Sequence, residues 1–584
     1  MTTVARQGAP QFPPVAGSIA PFTRDEMDAV VDSLQAHKDE WVALPVQKRI
    51  ALLDRLMADF AEIAPRWVAA STRAKGITGD SPLVGEEWAS GTWPVLKNLR
   101  QLRQALVDIE AYGRPKIPGS IRTRPDGQVI AQVFPQTIYD RLFFTGITAE
   151  VWMEPGVTAA DLPQTQAVAY RDKQHEGKVA LVLGAGNVAS IGPMDILYKL
   201  FVEDQVVVFK ANPVNAYLGP LMEEGGLHAL VELGFLRLVY GGAEEGAYLC
   251  NHPGVDEIHI TGSDKTFDAI VFGPGVEGAK RKAEHRPLLT KRITGELGNV
   301  SPVIVVPGPW SDSDLAYQAE HIDSMLTNNV GFNCNATRVI IQHTGWSQRE
   351  QLLQQVRRVL VRVPLRAAYY PGALERYQAF VAAHSEAEQI GTPEQQQLPW
   401  TLVEGVDPAN SDDVCFTTEA FCGLFAETEL DAASVPEYID RAVAFANEHL
   451  WGTLNATIIV HPSSLKDPAV AAAVERAIAN LRYGSVGVNY WAGIGYALGI
   501  TTWGAFPGHE IDNIQSGMGV VHNTLMFSRP QKSVLRGPFR GLLTPPWFVS
   551  QGRIASRLFP KLVAFEAAPS PWKVPGIVRA ALWG

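Results

Sequence analysis

The sequence predicts an α/β protein of several domains whose strands form parallel sheets. Three observations lead there. At 584 residues the chain is longer than one hydrophobic core organises. From about residue 178, apolar strand runs alternate with amphipathic helical stretches, the pattern of βαβ units. The segment before that, Arg24 to about Ile109, is periodic at helical spacing.

Taken in order, residues 1–22 are rich in Pro, Ala and Gly and read as a flexible leader; they lack the continuous apolar stretch of a secretory signal. Ile50, Leu52, Leu53, Leu56, Met57 and Phe60 then recur at spacings near three and four, which predicts helix. Arg141-Leu142-Phe143-Phe144 and Glu150-Val151-Trp152-Met153 read as extended around Thr145-Gly146, so a β-hairpin is expected over 140–155. Val179-Ala180-Leu181-Val182-Leu183 is a buried strand ending in Gly184-Ala185-Gly186-Asn187, followed by a helix from Pro193 to Phe201. Strands follow at Val206–Lys210, Leu238–Tyr240 and Glu257–Gly262, with a helix from Leu218 between the first two. A second α/β region runs from Ser301 to Gly484, with surface loops at 362–372 and 391–413. In such sheets ligands bind where strand C-termini meet the following turns.

Composition narrows the function. The net charge is −11, which argues against a general nucleic-acid binder. No run of ~18 apolar residues predicts a membrane span. Four cysteines, without CxxC or His/Cys ligand spacing, make neither a disulfide framework nor a metal site, and a reducing cytoplasm fits them. Charge is uneven along the chain: from Arg529 to the C-terminus nine Lys/Arg stand against the single acid Glu566. That basic, aromatic stretch reads chiefly as a segment packed across the acidic body or a second subunit. The alternative is peripheral contact with an anionic membrane.

The chemistry gathers in Gly331-Phe332-Asn333-Cys334-Asn335-Ala336-Thr337-Arg338, 38 residues after Glu296 in Gly295-Glu296-Leu297-Gly298. A lone cysteine is ordinarily a small buried hydrophobe. This one is bracketed by Asn333 and Asn335 with Arg338 nearby, a polar setting in which a thiolate is expected to be stabilised. A carboxylate close by is what a thiol nucleophile needs as base.

These segments resemble the nucleophile and general-base motifs of the aldehyde dehydrogenase superfamily. The nucleophile pattern Gly-Gln-x-Cys-x-Ala-x-x-Arg is met at Gly331, Cys334, Ala336 and, one position early, Arg338, with Phe332 in place of Gln. Thr294 to Pro302 is similar to Glu-Leu-Gly-Gly-Lys-Ser-Pro. Four further segments follow the family's order: Asn187, 23 residues before Lys210; Phe209-Lys210-Ala211-Asn212-Pro213; Thr261-Gly262-Ser263; and Glu419-Ala420-Phe421. Gly484 to Asn489 and Ser516-Gly517-Met518-Gly519 resemble the closing turns. Pro213 and Phe267 depart from the family's glutamate and second glycine.

The resemblance implies an aldehyde dehydrogenase-like fold: two Rossmann-like α/β domains and a β-hairpin oligomerisation element. The implied division is a cofactor-binding domain at 23–139 and 177–295, an oligomerisation hairpin and insertion at 140–176, a catalytic domain at 296–485, a return segment at 486–528 and a tail at 529–584. It implies Cys334 as nucleophile, Glu296 as the base that activates water, and Asn187 as oxyanion donor. Lys210, Gly262, Ser263, Glu419 and Phe421 would bind NAD or NADP, and no metal is expected. An aldehyde would be oxidised to the acid through a thioester, in a homodimer or homotetramer. Two other readings stay open: a coenzyme-A-dependent acyl reductase of the same superfamily, and a non-catalytic membrane-associated or scaffolding relative.

Overall fold

The computed structural model describes residues 19–171 and 175–583; most of the expected leader lies outside them. The chain opens with two long helices, Arg24–Ala43 and Val46–Ala74, and a third, Trp93–Tyr112. Their apolar faces, including Trp41, Leu53, Phe60, Trp67, Leu96 and Leu99, are buried in the first core.

That core packs on a six-stranded sheet ordered Gly517–Met518, Arg292–Leu297, Glu257–Gly262, Val179–Leu183, Val206–Lys210, Leu236–Val239. The five longer strands run parallel, and Gly517–Met518 closes the edge antiparallel to Arg292–Leu297. Val179–Leu183 and Val206–Lys210 are apolar on both faces because helices cover both sides of the sheet.

The second sheet has eleven strands. Its parallel centre comprises Pro530–Arg536, Ser485–Val488, Asn455–Ile459, Ser301–Val305, Thr337–His343, Leu424–Leu430 and Trp400–Val403. Ile121–Thr123, Val129–Phe134 and Thr148–Met153 extend it antiparallel at one end, joined through Pro530–Arg536.

One expectation changes. Arg141–Phe144 is no hairpin arm: Ile138–Phe143 is a short helix, started by Thr137, whose hydroxyl accepts from Asp140 N while Asp140 returns the bond to Thr137 N. This reciprocal cap offers the chain helix where the apolar run alone suggested strand. The strand that pairs with Thr148–Met153 is Val129–Phe134.

The basic tail, for its part, is built into the body. Pro530–Arg536 lies inside the sheet, and Lys532 donates to the Ile478, Ala479 and Leu481 carbonyls at the end of helix Pro468–Asn480. Arg536 pairs with Glu475 and Arg540 with Asp314. Helix Gly552–Ala567 buries Leu558, Phe559, Leu562 and Phe565 against the N-terminal helices, and its Glu566 meets Lys97 and Arg100. Among the described residues no helix is long and apolar enough to cross a membrane.

Candidate active site

Between the C-terminal ends of the two sheets lies a cavity of about 750 Å³. Its lining includes every residue singled out from the sequence: Asn187, Lys210, Gly262, Ser263, Glu296, Cys334, Glu419 and Phe421. They come from separate strand ends and turns spread over more than two hundred residues, brought together by the crossovers of both sheets.

Cys334 sits in the turn between Gly331 and strand Thr337–His343, half-buried at the cavity wall. The backbone ahead of it is unusual. Asn329, Val330 and Gly331 have φ of 52°, 60° and 77°, three left-handed residues in a row. For a β-branched valine that conformation is strained. At Gly331 a side chain is also excluded by space, since a Cβ there would lie 2.4 Å from the Cys422 carbonyl.

Polar groups hold the turn. Asn329 Nδ2 donates to the Asn187 and Phe332 carbonyls, and its Oδ1 accepts from Tyr369 and Lys75. Lys75 is in turn 2.7 Å from Glu87 in a buried pair. None of these supports was singled out from the sequence; they come from helices 250 residues upstream and from a loop downstream.

The thiol environment differs from the expected one. Burial and the Glu296 and Glu419 carboxylates hold the Cys334 thiol well above the usual thiol range, while its own backbone N–H works the other way. Arg338 offers the sulfur little. Its guanidinium is buried and donates to the carbonyls of Cys422, Leu424 and Gly331, so it laces the Cys334 turn to the 419–424 turn. The resting cysteine is therefore a thiol facing a carboxyl.

Glu296 ends strand Arg292–Leu297. Burial and the Asp195 charge push its carboxyl up to about 8; Cys334 and Trp503 pull the other way. Its Oε1 has no hydrogen-bond partner. The turn after it is pinned from the C-terminal region: Leu297 N donates to Ser516 O, and Ser516 Oγ to Gly298 O. Asn187 Nδ2 donates 2.9 Å to Phe332 O, which uses one of its two N–H groups and orients the amide beside the Cys334 turn.

On the other wall, burial lowers Lys210 to about 8 against the pull of Glu245 and Cys250. Ser263 caps helix Asp264–Phe272 by accepting from Thr266 N, which leaves the first N–H groups of that helix open at the cavity. Phe267, which stands where the resemblance has a glycine, is fully buried in the first core and takes no part in the lining. Burial raises Glu419 to about 7 despite Arg338 and Arg376, and its Oε1 is unpartnered. Room for that carboxylate depends on Gly298, where a Cβ would lie 1.9 Å from Glu419 Oε2. Phe421 adopts φ 42° and packs among Phe332 and Tyr370. Gly242, Gly246, Tyr370 and Arg376 also line the cavity and were not read from the sequence; Gly242 and Gly246 follow a strand end as Gly184-Ala185-Gly186 does, a signal that could have marked the first two.

Comparison with known proteins accords with this arrangement. The family model described as "Aldehyde dehydrogenase family" matches residues 202–395, a stretch that contains Lys210, Glu296 and Cys334. Over these residues the chain is similar to the aldehyde dehydrogenase family. The 4-trimethylaminobutyraldehyde dehydrogenase of Oryzias latipes is 31% identical over 171 residues, 29% of this chain and 30% of that protein, so the alignment spans under a third of this curated relative. Solved structures are similar over far more of the chain. The NADP-dependent glyceraldehyde-3-phosphate dehydrogenase of Bacillus halodurans, complexed with NADP, superposes with a TM-score of 0.59 at 18% identity, covering 89% of this chain and 92% of that one. Aldehyde dehydrogenase C of Pseudomonas syringae, a mutant complexed with NAD+ and octanal, gives 0.58 at 17% identity, covering 89% and 90%. At such identities the likeness establishes a shared α/β fold.

Proposed function

We propose that this chain is a member of the aldehyde dehydrogenase superfamily that oxidises an aldehyde to a carboxylic acid, with NAD or NADP as acceptor and Cys334 as acyl carrier. The observation that carries the reading is the single cavity in which Cys334, Glu296 and Asn187 meet Lys210, Gly262, Ser263, Glu419 and Phe421.

The residues present fit a dinucleotide. The open first turn of helix Asp264–Phe272 suits a pyrophosphate. Lys210 suits a ribose, and the unpartnered Glu419 Oε1 suits the hydroxyls of the other. Bound there, the dinucleotide supplies the two-electron acceptor of the reaction. Pro213 sets no acid three residues after Lys210, which leaves room for a 2′-phosphate and hence NADP.

The chain's own groups divide the remaining work. In its ionised form Glu296 takes the Cys334 proton as the sulfur bonds to the aldehyde carbon, so attack and proton transfer are coupled and no free thiolate need persist. The oxygen of that adduct gains negative charge, which the free N–H of Asn187 and the Cys334 backbone N–H stabilise. After oxidation the acyl group is a thioester on Cys334, and Glu296 returns to its ionised form by giving the Cys334 proton to solvent. Glu296, with Oε1 unpartnered, then accepts a proton from water as it attacks the carbonyl; the acid leaves and the thiol is restored. A carboxyl already facing the sulfur favours hydrolysis over transfer to coenzyme A, which needs no such base.

The test is reduction of NAD and NADP, followed by absorbance, with a linear aliphatic, a quaternary-ammonium and a phosphorylated aldehyde, beside Cys334→Ser. Reduction that is lost in the variant is expected. Reduced-cofactor oxidation with acyl-coenzyme A and none with any aldehyde would replace this reading with the reductase. In the same reading the four free cysteines suit the cytoplasm, and the tail is a packing element. The exposed edge strand Ile121–Thr123 offers unpaired main-chain groups to a second copy, in a homodimer or homotetramer that light scattering would count.

A further inference from the structure

Helix Ile191–Phe201 is buried along its whole length, yet it carries an aspartate at its centre. Asp195 is 1% exposed. A carboxylate there, among Ile191, Met194, Ile196 and Leu197, is costly unless partnered and calls for a reason.

Its partners lie on the sheet beneath. Thr261 Oγ1 donates 2.9 Å to Asp195 Oδ2, and His259 Nε2 lies 3.6 Å from the same oxygen. Thr261 and Glu296 are register partners on adjacent parallel strands, as are His259 and Thr294. Register partners in a parallel pair project to the same face. Asp195, Thr261 and Glu296 are thus neighbours, with His259 Nδ1 tied 2.9 Å to Thr294 Oγ1 behind them. Tyr496, whose hydroxyl is 2.7 Å from Ser190 Oγ, and the buried His522 also lie near Asp195. Glu296 itself is faced by Cys334 from the nucleophile turn, Glu419 from the 419–421 turn, Trp503 from strand Thr502–Trp503 and Asp195 from the helix. Two of these neighbours are acids. Glu419 sits at the wall where the dinucleotide is placed, whereas Asp195 lies behind the base.

We propose that Asp195 is a positioning residue for the reaction: fixed by Thr261 behind Glu296, its negative charge raises the proton affinity of the Glu296 carboxylate, which in its ionised form takes the proton released by the Cys334 thiol or by water. This rests on the reading of Glu296 as base. It accounts for a buried acid in an apolar helix, and for a carboxylate basic enough to accept a proton from a thiol.

The test is the pH dependence of two rates in the full-length protein: aldehyde turnover, and alkylation of Cys334 by iodoacetamide, with Cys334→Ser as the background. Asp195→Asn and Asp195→Ser both remove the charge, and the asparagine keeps an acceptor for Thr261. In both variants the midpoint of the alkylation profile is expected to fall by on the order of one pH unit, and the rising limb of kcat to move with it, while KM for the aldehyde stays within about twofold. A purely structural aspartate would change amplitude and thermal stability and leave the midpoint in place. Unchanged alkylation midpoints in both neutral variants overturn the proposal. Because alkylation needs no turnover, wild-type protein that reduces neither cofactor would sink the dehydrogenase reading, while the alkylation profiles still decide the role of Asp195.

Discussion

Replacing Glu296 with glutamine should stabilise the protein in alkaline solution while abolishing its turnover, and the size of the gain follows from where the carboxyl sits. Its folded pKa, about 8, is raised above the ordinary 4.5 by burial and by Asp195. Between those values the folded state holds a proton that the unfolded state has released, so stability falls as pH rises through this window. At ~1.4 kcal/mol per pH unit the loss approaches ~5 kcal/mol at pH 9, an upper bound because a relaxing site takes part of it. Glutamine keeps the shape and carries no such dependence. The melting temperature of Glu296→Gln should therefore match wild type near pH 5 and exceed it by a few degrees near pH 9, where one kcal/mol is worth roughly 2 °C or less in a chain of this size. Scanning calorimetry at pH 5, 7 and 9 reads the gap directly. A gap that stays constant across the series would show that Glu296 is no more protonated than an exposed carboxyl, and the argument for a carboxylate of raised proton affinity beside a thiol would fall. Turnover of the same variant should drop by about 10²–10⁴, the usual worth of a general base.

Other expectations address the remaining lining. Asn187→Ala removes the side-chain donor beside Phe332 and should cost ~3–4 kcal/mol of barrier, two or more decades in kcat, with little change in aldehyde KM; near-normal kcat would remove it from the oxyanion role. Gly298→Ala places a methyl group where Glu419 Oε2 now lies, so dinucleotide affinity by fluorescence titration should weaken at least ~10-fold with the circular dichroism unchanged; equal affinity would detach Glu419 from the cofactor. Glu566→Ala leaves Lys97 and the largely buried Arg100 with Asp140 as the carboxylate that remains, and should cost ~3–5 kcal/mol in urea unfolding. An unchanged midpoint there would mean that the tail helix is held by apolar packing alone.

Much of the site was legible because its residues sit where local chemistry is readable. Gly184-Ala185-Gly186-Asn187, Lys210 and Gly262-Ser263 each follow an apolar strand run, and a strand end in a parallel sheet is where a ligand is expected. What could not be read is whatever depends on register between distant strands. Thr261 and Glu296 are 35 positions apart, and only the pairing of their strands sets both beneath Asp195, a residue that in sequence is one polar interruption of an apolar helix. The strand Pro530–Arg536 was hidden for a related reason: its charges suggested a surface segment, yet Lys532 is buried with its ammonium spent on helix-end carbonyls. The first arm of the expected hairpin is a different case, since Thr137 and Asp140 are a cap that the sequence displays, and the apolar run after it was weighed without its start signal. The same contrast separates the two acids behind the chemistry. Glu296 announces itself through its glycines, because the turn that follows it must let Glu419 approach. Asp195 announces nothing, because its role exists only once helix and sheet are packed. On the proposed reading, the proton affinity of the base therefore depends on a residue that carries no motif and that only the packed fold brings near it.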